Sequence, residues 1–322
     1  MAVTITAQRH AHDVHFACKV QTAEGSGATL TSGSAFAITS WRPTFEIAEL
    51  VKPGSTGSRE LEVNEVKHGI VTPRFTVGGV VGYGTDVLAN GEALAALLEG
   101  ALGSRAAPST VNFNFANTLP FLTCAVKEGA SQYRLFTDCQ VARLRLESSR
   151  DDQLTFEADL VAKTYASGTS TFTAPDPANI GVPWIHAGML TASIDSSDQA
   201  GSRCSVEITN KVEVVHTTGR YPTALRYSGK NDITVEIDVV PERKLRDWFA
   251  DAVALDQEYT GASFAWVNAG NSKTLTAVFG ALKLTNAPLA ALNDGALDEV
   301  VAMTFRAVKT GSTAALQITH TA

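Results

Sequence analysis

Three histidines and an aspartate lie close together near the start of the chain, His10, His12, Asp13 and His15 in RHAHDVH. Imidazole nitrogens and carboxylates are metal ligands. On a strand, however, His10 and His12 share one face while His15 falls on the other, so a strand bearing solvated histidines explains the pattern better than a metal site. Cys139 follows a possible turn and could act as a nucleophile, but no histidine is identifiable as its base, and buried packing is expected. Asp151 with Asp152, and Asp294 with Asp298 and Glu299, could pair for acid–base work. All of them neighbour turn residues, where acids are common and exposed.

Other chemistries leave weaker traces. KPGSTGSRE at 52–60 has glycines and serines but no GK[ST] ending, so it lacks a phosphate-loop pattern. GGVVGYG at 78–84 sits in an alternating run rather than between a strand and a helix, which argues against a dinucleotide site. Its glycines fit a bulge or a close subunit approach. Neither HExxH nor GxSxG occurs. Trp41, Trp184, Trp248 and Trp266 could stack on sugars, but Trp248 belongs to an apolar helix face, and core positions are expected for the set. Cys18, Cys124, Cys139 and Cys204 form no CxxC pair, which suits reduced thiols. The expectation is a protein without catalytic residues, metal or cofactor.

Two kinds of element must position whatever function there is. Alternating apolar residues mark half-buried strands: Phe75 to Val87, Val141 to Leu146, Leu154 to Val161, Ser205 to Val215, Ile233 to Val239, Leu275 to Leu284 and Val300 to Val308. Helical spacing occurs twice. After Asn90, Leu94, Leu97, Leu98 and Leu102 make one apolar face that ends at Gly103; after Pro241, Leu245, Trp248, Phe249 and Val253 make another. The fold class expected is mainly β, with one amphipathic helix packed on a sheet in each half.

The two halves match in pattern. Val81, Tyr83, Thr85 and Val87 align with Ile233, Val235, Ile237 and Val239, and the two helices follow at nearly the same offset. LRL at 144–146 aligns with LKL at 282–284, and VAKT at 161–164 with AVKT at 307–310. The order strand, helix, hairpin, hairpin occurs twice, which predicts an internal duplication. The join is expected in Gly168 to Trp184, rich in Pro, Thr and Gly, dividing the chain into 1–170, with an extra segment 1–40, and 171–322.

Composition bears on partners. Net charge is −7, and charged residues are 18% of the chain, below the usual quarter or so. Interface centres are depleted in charge, so coverage by other subunits is expected. The acidic balance opposes tight non-specific DNA binding. A long apolar run is absent, which predicts no membrane span, and the N-terminal stretch lacks the basic-then-apolar pattern of a secretory signal.

RFTVGGVVGYGTDVLANGEALAALLEGALG, FTDCQVARLRLESSRDDQLTFEADLVAKTY, VPWIHAGMLTASIDSSDQAGSRCSVEITNKVEVV and ITVEIDVV, in that order, resemble the tail tube proteins of long-tailed bacteriophages in their two-repeat form. The resemblance runs from Thr44 to Lys309; Met1 to Ser40 departs from the family pattern. It implies β-sandwich or split-barrel tube domains that close into rings and stack into a conduit for the genome, in a virion tail assembled in the host cytoplasm. Six tube domains per ring, two from each chain, would make a trimeric pseudo-hexameric ring rather than a hexamer of chains. The implied partners are further copies of the chain, the tail tip or baseplate, the tape measure and the tail terminator. Double-stranded DNA would pass through without specific binding.

Glu207 and Glu213 occupy alternating polar positions similar to those of Glu157 and Asp159, and on that reading Glu157, Asp159, Glu236 and Asp238 are the candidates for the lumen face. An outer solvated face is the alternative for them. Gly54, Ser55, Thr56, Gly57, Ser58 and Arg59, with the loop 216–230, are candidates to reach the next ring, against ordinary hairpins. Two other classes stay open: a non-tubular β-sandwich binding module, carbohydrate-binding or adhesin-like, and a β-rich hydrolase.

Overall fold

The computed structural model describes residues 14–31, 35–51, 66–83, 93–106, 110–128, 132–168, 182–185, 188–199, 201–239, 258–268, 272–286 and 301–321. The first half contains β1 (Val14–Val20), β2 (Ala35–Ala37), β3 (Ser40–Val51), β4 (Val66–Val80) and β5 (Gly82–Tyr83). Helix α1 (Ala93–Leu102) follows, then β6 (Gly103–Ala106), β7 (Thr110–Phe115), β8 (Leu122–Glu128), β9 (Gln132–Ser149), β10 (Thr155–Val161) and β11 (Thr164–Gly168). The second half contains β12 (Val182–Pro183), β13 (Leu190–Ile194), β14 (Ser197–Gln199), β15 (Gly201–Thr209), β16 (Val212–Val215) and β17 (Ala224–Tyr227). It continues with β18 (Asp232–Val239), β19 (Ala262–Asn268), β20 (Lys273–Phe279), β21 (Ala281–Asn286), β22 (Val301–Val308) and β23 (Leu316–Thr321). The protein is mainly β, and among the described residues all strand pairings are antiparallel.

Alternation in sequence becomes alternation in burial. Ile233, Val235, Ile237 and Val239 of β18 are buried, while the residues between them are half-exposed; β10 behaves alike through Phe156, Ala158 and Leu160. One face of each strand therefore drives folding by leaving water, and the other must stay wet.

Eight strands lie side by side in the order β3-β4-β10-β9-β15-β18-β22-β21. Strand β9 is long enough to serve twice. Its second part pairs with β10 and β15, and its first part pairs with β8 and β11 in the run β2-β1-β8-β9-β11. The passage between the two is a bulge at Thr137 and Asp138 opposite Thr123. Asp138 has φ 53°, a left-handed conformation that aspartate tolerates, and its Oδ1 accepts from the Gly25 amide at 2.7 Å.

The pairings of the first half recur in the second. The neighbour order β3-β4-β10-β9 is matched by β15-β18-β22-β21, and β2-β1-β8-β9-β11 by β14-β13-β19-β20-β23. Where the first half has the continuous β9, the second has β20 and β21, separated by Gly280. A Cβ there would meet Ala314 O at 2.6 Å and Val308 O at 2.8 Å. The expected single strand from Leu275 to Leu284 breaks at this glycine because the chain changes sheets.

The halves share their sheets. β9 pairs with β15, β23 pairs with β7, and the Trp184 amide donates to Val81 O across the expected join. One apolar core runs through both. The segment 1–40 is not peripheral where it is described: β1 is a central strand, with Phe16 and Cys18 fully buried. His10 and His12 lie outside the described residues, and His15 sits in β1.

Helix α1 departs from the amphipathic expectation. Nine of its ten residues are buried, the alanines as well as Leu94, Leu97 and Leu98. A helix apolar all round is one covered on more than one side, and α1 touches β1 and β9 as well as β6 and β7. Leu245, Trp248 and Phe249 lie outside the described residues. The expected strand from Ser205 to Val215 also breaks, at Asn210. This buried side chain donates through Nδ2 to Ala101 O, near the end of α1, at 3.1 Å and to Val141 O at 3.0 Å.

Candidate functional site

The wet face of the eight-stranded sheet is where the charged residues gather. Leu144 and Leu146 of β9 point into the core, so Arg143, Arg145 and Glu147 point out. By the same parity β10 presents Glu157 and Asp159, β15 presents Arg203 and Glu207, and β18 presents Glu236 and Asp238. The register brings these strands' side chains opposite one another: Arg143 faces Asp159, Arg145 faces both Glu157 and Glu207, and Glu147 faces Ser205.

The result is a continuous ion-pair lattice. Arg143 reaches Asp159 (2.8 Å), Glu207 (3.4 Å) and Glu157. Arg145 reaches Glu147 (3.2 Å), Glu236 (3.2 Å) and Glu207 (4.0 Å). Arg203 reaches Glu147 (2.6 Å), Glu236 (3.7 Å) and Asp238 (4.0 Å). Hydroxyls complete it, with Thr76 donating to Asp159 at 2.6 Å and Ser205 to Glu236 at 3.1 Å. Each guanidinium has at least two carboxylate partners, and opposite charges across neighbouring strands stabilise the pairing.

The lattice perturbs its members in consistent ways. Burial pulls the Arg143 guanidinium down, but Asp159, Glu207 and Glu157 outweigh it and hold it above the usual arginine value. The hydrogen bond to Glu147 does the same for Arg203. Asp238 is pushed up by burial and by Glu236 and Glu147, with Arg203 pulling the other way.

All four candidate carboxylates, Glu157, Asp159, Glu236 and Asp238, thus lie on one face, with Glu207 among them. Glu213 does not join them; it belongs to the hairpin β16–β17. The arginines and Glu147 escaped the sequence reading although their signal was there, because Arg143, Arg145 and Glu147 alternate with Leu144 and Leu146. The hairpin β16–β17, part of a candidate inter-ring loop, rests on its own chain: the Val71 amide donates to Arg220 O at 2.7 Å, and Thr72 Oγ1 lies 3.0 Å from His216 Nε2. Residues 54–59 lie outside the described residues.

The other chemistries fare as follows. Cys139 is fully buried, and burial raises its thiol, so the thiolate that would attack is disfavoured. Cys18 and Cys124 sit opposite each other with sulfurs 3.3 Å apart, both buried. Trp184 and Trp266 are core residues, and Trp41 packs partly buried against the core. Asp151 and Asp152 are exposed at a turn, while Asp294, Asp298 and Glu299 lie outside the described residues. Among the described residues, no group of three or more His, Cys, Asp or Glu side chains is placed to hold a metal ion. In the same residues no helix is long and apolar enough to cross a membrane.

A comparison with curated proteins finds no match. A family model described as phage tail tube protein matches residues 16–308, and so reaches into the segment that the resemblance left out.

Proposed function

The chain belongs to the phage tail tube protein family, a structural component of the virion tail, and from that premise we propose that three copies close into a ring whose stacked repeats carry the genome. The observation that carries this reading is the junction of β9 with β15. It joins the last strand of one four-strand set to the first strand of the next, edge to edge and in register from Thr209 to Arg203. Among the described strands, β3 and β21 stand at the two ends of the row, β3 pairing with β4 and β21 with β22, and the outer edge of β21 carries a bridge from Leu282 to Tyr259. Free sheet edges invite pairing with another chain, and β21 of one copy, beyond the Leu282–Tyr259 bridge, can meet β3 of the next. Three copies then supply six four-strand sets, the recurrence reading as an internal duplication into units 1–170 and 171–322.

Such a closed sheet has one face inward, and the ion-pair lattice is our candidate for it. A conduit wall must not hold phosphates, and DNA-binding proteins hold them with free Lys and Arg. Here each arginine is already engaged by carboxylates, so Glu157, Asp159, Glu236 and Asp238 both repel the duplex and occupy the cations beside them. Residues 54–59 are left as the segment that reaches the next ring. The tail tip, tape measure and tail terminator are its expected neighbours.

Replacing Glu236 and Asp238 with lysine tests the wall. Like charges would then crowd Arg145 and Arg203, with expected slow genome passage through tubes that still form. Ejection at the wild-type rate from such tubes would remove these residues from the wall. A carbohydrate-binding module is the second reading, but the described tryptophans do not favour it: Trp184 and Trp266 are buried, and Trp41 packs against the core.

A further inference from the structure

A groove of about 1070 Å³ opens at the edge of the second half, where β18 begins and β22 ends. Its wall includes Tyr227, Lys230, Ile233, Val308 and Lys309. The corresponding place in the first half, where β4, β9 and β10 meet the same edge, is a space of about 530 Å³ walled in part by Asn210, Lys211 and Val212. Those residues lead into hairpin β16–β17, which crosses from the second half to β4 of the first and bonds there through Arg220 and His216. The smaller space is therefore closed by the unit that follows it. The larger one is at the end of the described row of strands, beside β18, β22 and β21.

We propose that the groove seats the β3–β4 connection of a second copy, the laterally adjacent one in the ring; the proposal rests on the ring reading above. Residues 52–65 join β3 to β4 as β16 and β17 join β15 to β18, so one step along the row places that connection over β18 of the preceding copy. The charges match at one end of the segment: Lys52 and Arg59 lie before Glu60, Glu62 and Glu65, which leave 60–65 purely acidic, and the groove offers Lys230 and Lys309, both exposed. The strands leaving toward that segment bear Ile47 and Ile70, 42% and 40% exposed, and the groove has Val308 and Ala315, both half-buried, to cover them. Groove and connection also lie at the same edge of the sheet, since β22 ends there and β4 begins there. A lateral neighbour presents that edge at the same height, whereas a stacked ring presents the opposite one. Only the acidic end of the connection, 60–65, is needed for this contact, and residues 54–59 are left to reach along the tube.

The test uses the full-length protein nucleated on tail tips. Lys230→Glu with Lys309→Glu, and separately Glu60→Lys with Glu62→Lys, are each expected to lower ring yield about ten-fold or more, because like charges then face each other. All four substitutions in one chain should restore it. These side chains are at the surface or in the connection, and an unchanged melting temperature checks that each variant folds. Rings at wild-type yield from either pair, or no recovery in the combined variant, would overturn the groove while leaving the ring intact. Failure of the unaltered protein to form rings would overturn the ring and the groove with it. A second arm joins Glu62→Cys to Lys309→Cys under mild oxidation: a disulfide ladder that ends at three copies supports lateral seating, and one that continues past three assigns the contact to stacking and rejects it.

Discussion

Asn210 is a buried polar tie between the helix and the sheet. It is 3% exposed and ties the last turn of α1 to β9 by two donated bonds, at the point where the chain leaves β15 for the hairpin. Removing it leaves two buried carbonyls without that donor, and such a loss costs about 1–3 kcal/mol. Asn210→Ala should therefore unfold at lower denaturant with an unchanged slope; an unchanged midpoint would show that water or a backbone shift replaces it. His320 is a second buried polar group, 1% exposed, with neither ring nitrogen hydrogen-bonded among the described residues. Burial, and then the Lys273 cation, lower its proton affinity to about 4 from 6.5. The unfolded chain takes up a proton that the native chain refuses, so its contribution is whole above about 6.5 and declines as pH falls toward 4. His320→Leu should flatten the fall of melting temperature across that window, and an equally steep fall in the variant would place the acid sensitivity elsewhere. Neither residue announced its role in the sequence: an asparagine before a turn is common, and a histidine on an alternating strand shows its parity but not what lies above it.

At the scale of elements, alternation was legible and register was not. The buried positions of β10, β18 and β22 follow from period two. Any even shift preserves that period, however, so pattern alone could not fix which strands correspond. Paired neighbours fix it: Phe156 stands between Leu146 and Gly79, and Phe305 between Leu284 and Val235. By that measure β18 answers to β4 four residues earlier than the stretch from Val81 to Val87 suggests. Strand breaks were hidden for a related reason, since a chain that passes from one sheet to another keeps its alternation almost unbroken. Gly280 marks such a passage. Gly280→Ala puts a methyl against two backbone oxygens that cannot rotate away, and about 1–3 kcal/mol of destabilisation is expected, as for overpacking elsewhere. A melting temperature equal to wild type would mean that the β20–β21 corner yields more easily than its contacts imply. The helix shows a different limit: leucine spacing revealed one face of α1, but its alanines are silent about a second covering layer formed by β6 and β7.

For the whole molecule, low charge and a repeated pattern pointed to assembly, and the two ends of the row of strands are where we propose that it occurs. Most of the acidic surplus could be read as a repelling wall, but the arginines that neutralise it appear only when β9, β10, β15 and β18 are side by side. The proposed wall is thus a lattice of held charges rather than a row of bare carboxylates, and the insensitivity to DNA proposed for it would depend on keeping each guanidinium occupied. Glu207→Gln removes a partner from Arg143 and Arg145 together. Tubes of this variant should retain DNA at low salt and release it as salt rises, which fluorescence anisotropy with a labelled duplex can read; no binding at any salt would show that the other carboxylates suffice. The central claim is that two units per chain close a ring of three. Mass photometry of rings released from tail-tip-nucleated tubes, with end-on electron microscopy of the same sample, measures this most directly. The account predicts a ring of three times 34.0 kDa with three-fold symmetry and six similar lobes, and a ring of six chains would contradict it.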